Sequence, residues 1–225
     1  MLTKGLNIDI PYNVTRHIKI QTYKTKHNLL GVKLVMAETY NIPTEAGRVD
    51  WEGLKSELLE LSKDTLADMV NVWLKTFWSV QSYWMVFTEE TSGFETTALL
   101  DHKIWQKVGP IQAYRVKKAL KLGNDVQALA TMFKFTAPQW VPAGFAWEFT
   151  EVTDRKLVMT VNQCPMGTFR KAANLELLPC KLAIPSIYEV MAKVINEKFE
   201  TTCLHAHPDE PKEGIMCRWQ CVLKD

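Results

Sequence analysis

The stretch IPSIYEVMAKVINEKFETTCLHAHPDEPKEGIMCRWQCVL, residues 184–223, decides how the second half of this chain folds. Its period changes partway. From Ile184 to Ile195, the apolar residues Ile187, Val190, Met191 and Val194 recur at helical spacing. From Phe199 to His207 and from Ile215 to Leu223 the pattern suits strands, and Pro208-Asp209-Glu210-Pro211-Lys212 between them is turn chemistry. Upstream, Phe145–Val152 and Lys156–Gln163 alternate around Thr153-Asp154-Arg155, a hairpin pattern. The order is ββαββ, which predicts an α+β module with a sheet backed on one side by a helix.

Strand parity limits which cysteines can meet. Successive side chains point to opposite faces, so Cys217 and Cys221 share a face with Ile215, Trp219 and Leu223. By the same rule Cys203 shares a face with His205 and His207. Pairing Cys203 opposite Cys217 centres the turn on Glu210 and sets their Cβ atoms roughly 4.5–5.5 Å apart. Cys203, Cys217 and His205 are then expected to converge. Cys180, heading the helix, and Cys164, ending a strand, would approach from the edge.

Thiolates suit zinc or an iron–sulfur cluster, because both prefer soft sulfur donors. The expected metal ligands are Cys164, Cys180, Cys203, Cys217 and His205. The spacing is nonetheless unlike a zinc ribbon, since no C-x-x-C pair occurs. Two other readings stay open. The thiols can be small buried hydrophobes. Alternatively Cys203 or Cys180 is a nucleophile, with His205 or His207 as base and Asp209 orienting the imidazole. Cys221 reads as a core residue.

Working outward, residues 49–136 have helical period. Asp50 can cap a helix carrying Leu54, Leu58, Leu59 and Leu61, and a break near Ser62–Asp64 leads into an aromatic helix through Trp73, Phe77, Trp78 and Trp84. Further helices are expected over Phe94–Lys107, from Pro110 to Leu122, and from Asn124 through Phe135. Residues 137–145, APQWVPAGF, read as a linker. Residues 1–48 read as a β-rich extension, with a hairpin from Asn13–Tyr23 and Leu29–Met36 near Asn28 and Gly31. Three domains follow: 1–48, 49–136 and the cysteine-rich 137–225. A hairpin alone is marginal in water, so residues 1–45 are a candidate contact with a protein partner or a second copy.

Composition narrows the function classes. The chain has 225 residues, 47% of them hydrophobic, with a formal net charge of +2. That balance argues against a dedicated nucleic-acid binder. No apolar run is long enough for a secretory signal or a membrane span, so a cytoplasmic protein with reduced thiols is expected. Eight tryptophans are present. Most simply they fill a core; the sharper reading is a pocket for a small organic ligand walled by Trp78, Gln81 and Trp84. Phosphate-cradling loops, the Rossmann glycines, a nucleophile elbow and H-E-x-x-H are all missing.

Two sets of residues resemble a family. Trp84, Glu89-Glu90, Gly93, Leu100-Asp101 and Trp105 form one; Cys164 with Arg170-Lys171, Leu178-Pro179-Cys180-Lys181, Cys203 with Pro208-Asp209, and Cys217-Arg218-Trp219 form the other. Over residues 55–223 the chain resembles an uncharacterised family of anaerobic bacteria and archaea, distantly related to L-2-amino-thiazoline-4-carboxylic acid hydrolase-like proteins. Gln81-Ser82 replaces the family's Asp-Gly, and Ala206, flanked by His205 and His207, replaces a cysteine. The resemblance implies a helical bundle joined to an α+β module, a place in anaerobic metabolism, and C–N bond hydrolysis of a small cyclic amidine. The functional expectation is a small-molecule-binding protein or enzyme with a Cys/His site facing an aromatic pocket. The alternatives are a cysteine-dependent hydrolase and a non-catalytic subunit of a larger complex.

Overall fold

Period alternation builds two kinds of layer here, long helices and a short antiparallel sheet. The computed structural model describes residues 20–24, 30–34 and 51–225 except 137 and 211, with side chains described from Trp51 onward except 137–139 and 211. The fold is mixed α+β. The chain divides into two units, Met1–Leu59 and Glu60–Asp225.

In the first unit, strands β1 (Ile20–Lys24) and β2 (Leu30–Leu34) pair antiparallel. Gly31 lies within β2, opposite Tyr23, rather than in the turn. The remainder of the expected N-terminal hairpin, and most of the proposed partner arm over residues 1–45, lies outside the described residues. Helix α1 (Trp51–Glu60) closes this part of the chain.

In the second unit, α2 (Lys63–Ser92) begins where Ser62 caps it, its hydroxyl accepting from the Thr65 N–H at 3.1 Å. Gly93, at φ +81°, ends α2, and α3 (Phe94–Leu120) starts directly after it. The expected break at Pro110 does not occur; α3 runs through it. A proline removes one backbone donor. Packing compensates, because Gly109 and Ala113 let helix α6 (Cys180–Ile195) come close: a Cβ at Gly109 would stand 3.0 Å from Met191 Cγ. Helix α4 (Val126–Thr136) is capped by Asp125, not Asn124, its carboxylate accepting from the Ala128 N–H at 2.8 Å.

The expected linker is packed. Pro138–Ala143 forms a 3-10 turn against α2. Trp140 donates from its indole to Gln81 Oε1 at 3.1 Å and meets Trp105 and Phe145 edge-on. Strands β3 (Ala146–Val152), β4 (Lys156–Gln163), β5 (Phe199–His205) and β6 (Cys217–Leu223) make one antiparallel sheet in the order β3-β4-β6-β5. A helix not anticipated, α5 (Pro165–Ala172), follows β4, so the module reads ββααββ. Helix α6 lies between the sheet and α3. One core cluster joins Trp105 and Ala113 of α3, Leu129 and Phe133 of α4, Ile187 and Met191 of α6, and Leu157, Phe199 and Cys221 of the sheet.

Candidate functional site

The pairing register decides where the thiols lie. Cys203 is opposite Trp219, not Cys217. The strand then slips: His205 pairs with Arg218, leaving Leu204 as the extra residue of a bulge. Exposure nonetheless alternates along β5, with Leu204 exposed and His205 buried, so His205 stays on the inward side of the strand beyond the bulge. The register corrects one expectation, the direct pairing of Cys203 with Cys217. The cause is local. The segment after β5 is tied to itself, with the Asp209 carboxylate accepting from the Ala206 N–H at 3.2 Å and the Asp209 N–H donating to the Ala206 carbonyl at 2.8 Å. A bulge is invisible to a strict two-residue period.

Cys203 and Cys217 are therefore diagonal neighbours on the helix-covered face, a relation that puts Cα atoms roughly 7–8 Å apart. Both pack on the cluster of Met159, Ala206 and Trp219, and Cys180 of α6 joins them there. The Trp219 indole N–H donates to Cys217 Sγ at 3.1 Å. Tyr188 of α6 meets Trp219 edge-on, at 5.5 Å between ring centroids.

Cys164 reaches the same neighbourhood from the start of α5. The thiol of Cys180 is pushed up to about 12, first by burial, then by Cys164 and Asp101, with Cys203 also raising it. Cys217 is raised by burial and then by Cys180, Cys164 and Cys203. Four cysteines from four elements thus lie within electrostatic reach of one another. Burial also raises Cys164, against the opposing pull of the Gly167 and Met166 N–H groups at the start of α5. Cys221 is buried apart, pushed up to about 11 by burial, and its thiol and the Thr201 hydroxyl are 3.4 Å apart. Its reading as a core residue agrees with that placement. All five thiols are unpaired.

As the side chains stand, among the described residues no three His, Cys, Asp or Glu groups are close enough to hold a metal ion. The donor chemistry is that of a soft-metal site, while the present separation exceeds what a tetrahedral ion with bonds near ~2.3 Å requires. The proposed nucleophile is also not activated. Burial raises Cys203, and Asp209 adds to the rise, while the His205 backbone N–H and Lys181 oppose it. His205 is buried, with Nδ1 3.7 Å from Asp209 Oδ2, beyond hydrogen-bond range. Asp209 instead pairs with Lys181, which holds its carboxyl below the usual range. His207 is exposed.

Asp101 is the site residue that sequence reasoning left out of the chemistry. Burial pushes its carboxyl up to about 6, against hydrogen bonds from the Trp105 and Gln81 side chains. Gln81 in turn accepts from Trp140, so a chain of hydrogen bonds runs Trp140–Gln81–Asp101 and leads toward Cys180. A carboxyl titrating there can take or give a proton near neutral pH. The available signal was spacing, since Asp101 precedes Trp105 by one helical turn. Of the expected ligand-binding residues, Gln81 is committed to this chain, while Trp78 and Trp84 are half-buried on α2.

A second buried ion fixes α5. Arg170 grips Glu89 with both terminal nitrogens, at 2.7 and 2.9 Å, donates to the Glu176 carbonyl, and lies 5.0 Å from the Phe94 ring centroid. The Arg170 hydrogen bond holds the Glu89 carboxyl below its usual range. This pair ties the helix that begins at Cys164 to the α2–α3 turn.

Among the described residues no helix is long and apolar enough to cross a membrane. No curated protein and no solved structure matches the chain. A family model does match, over residues 58–223, a span that takes in α2, α3, the sheet and all five cysteines. The chain belongs to that family, a family of unknown function (DUF6125).

Proposed function

We propose that this protein binds a small organic ligand beside a soft-metal thiolate centre built from Cys164, Cys180, Cys203 and Cys217. The observation that carries this reading is the convergence of those four thiols from β4–α5, α6, β5 and β6 around Trp219 and Tyr188, next to a buried carboxyl. A structural core has no need of four sulfurs in one place, and sulfur is what zinc and iron–sulfur clusters select. Metal binding displaces the thiol protons and draws the sulfurs together. Three of the four are placed for such a shift: Cys164 and Cys180 sit at helix starts, and Cys203 sits beside a bulge. Asp101, with Trp78 on α2, forms the wall the ligand meets. Five unpaired cysteines fit work in the reducing cytoplasm.

Elemental analysis of anaerobically purified protein tests the reading. About one equivalent of bound zinc, or the iron and sulfide of one cluster, is expected, and it is lost in Cys180→Ser and Cys217→Ser. Less than about a tenth of an equivalent in the wild type would sink it.

A further inference from the structure

Helix α2 presents a half-exposed row unlike that of a solvated helix, with Phe77 at its middle also meeting Trp105 of α3 edge-on. Val70, Trp73, Phe77, Val80 and Phe87 are each between 42% and 64% exposed. From Val70 to Thr88 the sequence holds one charged residue, Lys75. A helix face turned to water is ordinarily charged and polar. With half-buried Leu66 and Trp84, the row has intervals of 4, 3, 4, 3, 4 and 3 residues. That is an a/d seam with the 3.5-residue period of helix-on-helix packing.

We infer that this seam is the interface of a homodimer, in which α2 packs antiparallel on α2 of a second copy. The seam is self-complementary in size. With the two-fold axis near Phe77, Trp73 of one copy faces Val80 of the other, Val70 faces Trp84, and Leu66 faces Phe87. Every large ring away from the axis meets a smaller side chain, as an isologous interface needs.

The area agrees. A standard interface buries about 800 Å² per partner, about 65% of it apolar in homodimers, which is roughly 500 Å². Aromatic side chains bury about 150–250 Å² each, so the half-exposed α2 row supplies roughly 400 Å². That is most of the apolar area such an interface needs, and Ile104, Val108 and Ile111 of α3 are exposed as well.

Residues 1–50 of the same chain are the competing occupant. Within them Asn13–Tyr23 and Leu29–Met36 have strand rather than helical period.

Light scattering on the full chain at about 50 µM, a concentration that populates micromolar dimers, should give twice 25.8 kDa. Val80→Glu and Phe87→Glu should each weaken the dimer at least about tenfold while circular dichroism keeps its helical signal. A photo-crosslinking phenylalanine analogue at position 80 should join two chains and map to the peptide containing Trp73. That readout keeps the test sound if a glutamate variant fails to fold. A monomeric wild type, a dimer indifferent to both glutamates, or crosslinks that run to residues 1–50 of the same chain would overturn the inference.

Discussion

Replacing Asp101 with asparagine isolates the charge of a buried carboxyl while keeping its shape. The Asp101 pKa rises from 3.8 to about 6 on folding. The native state therefore holds the proton more tightly than the unfolded chain. Stability falls as pH rises through that window, and above it the whole penalty is present. About two units correspond to roughly 3 kcal/mol, and the partial exposure of the side chain reduces this to about 2 kcal/mol. The asparagine side chain keeps an oxygen for the Trp105 and Gln81 donors but adds an N–H₂ group without a designed partner. That cost is independent of pH, so the informative quantity is how the stability difference changes. Urea unfolding of metal-free, reduced protein at several values from pH 4 to 7.5 measures it. Relative to wild type, Asp101→Asn should gain about 2 kcal/mol across that range. Cys180, raised to about 12, stays protonated throughout and contributes nothing to the slope. A difference that is flat with pH would refute the placement of a charge-penalised carboxyl beside the thiols.

Three further outcomes follow from particular contacts. Arg170→Met leaves Glu89 without its partner and should cost about 2–3 kcal/mol in urea unfolding at neutral pH, less than for a fully buried pair because Glu89 keeps 20% exposure. Because folding lowers the Glu89 pKa below 4.5, this cost should shrink as pH falls below that value; an undiminished cost in acid would count against the ion pair. Gly109→Val puts a Cβ at 3.0–3.1 Å from Met191 and should cost about 2 kcal/mol, whereas wild-type stability would show that α3 and α6 have slack. Every thiol is raised by burial, so all five should alkylate more slowly than free cysteine at pH 7, and one thiol reacting about tenfold faster than free cysteine would revive the nucleophile reading.

The sequence pattern revealed elements more readily than it revealed how they join. The β3–β4 hairpin, the aromatic helix and both final strands were legible because each has an unbroken period of its own. Pro110 misled because propensity is local, while the seam it lies in is set by Gly109, Ala113 and a helix roughly 80 residues away. Helix α5 was hidden because its short run, PMGTFRKA, carries little apolar repeat. The thiol cluster was legible as a neighbourhood but not as a geometry, since the β5–β6 turn is centred past Glu210 and sets Cys203 opposite Trp219. Asp101 was overlooked as chemistry because its importance comes from Gln81 on another helix and Trp140 in the 3-10 turn.

The close approach of α6 to α3 bears on how this chain can be cut. The proline-rich segment at 137–145 looks like a natural place to divide it, and residues 145–225 would keep all five cysteines. Such a fragment would also carry α6 with Ile187 and Met191 stripped of the glycine seam that covers them. It would lose Asp101 and the Glu89 grip on Arg170 as well. The thiol centre is thus not a portable cassette. Any transplant, fusion or minimal version must begin upstream of α2, and a shorter piece is expected to precipitate rather than fold.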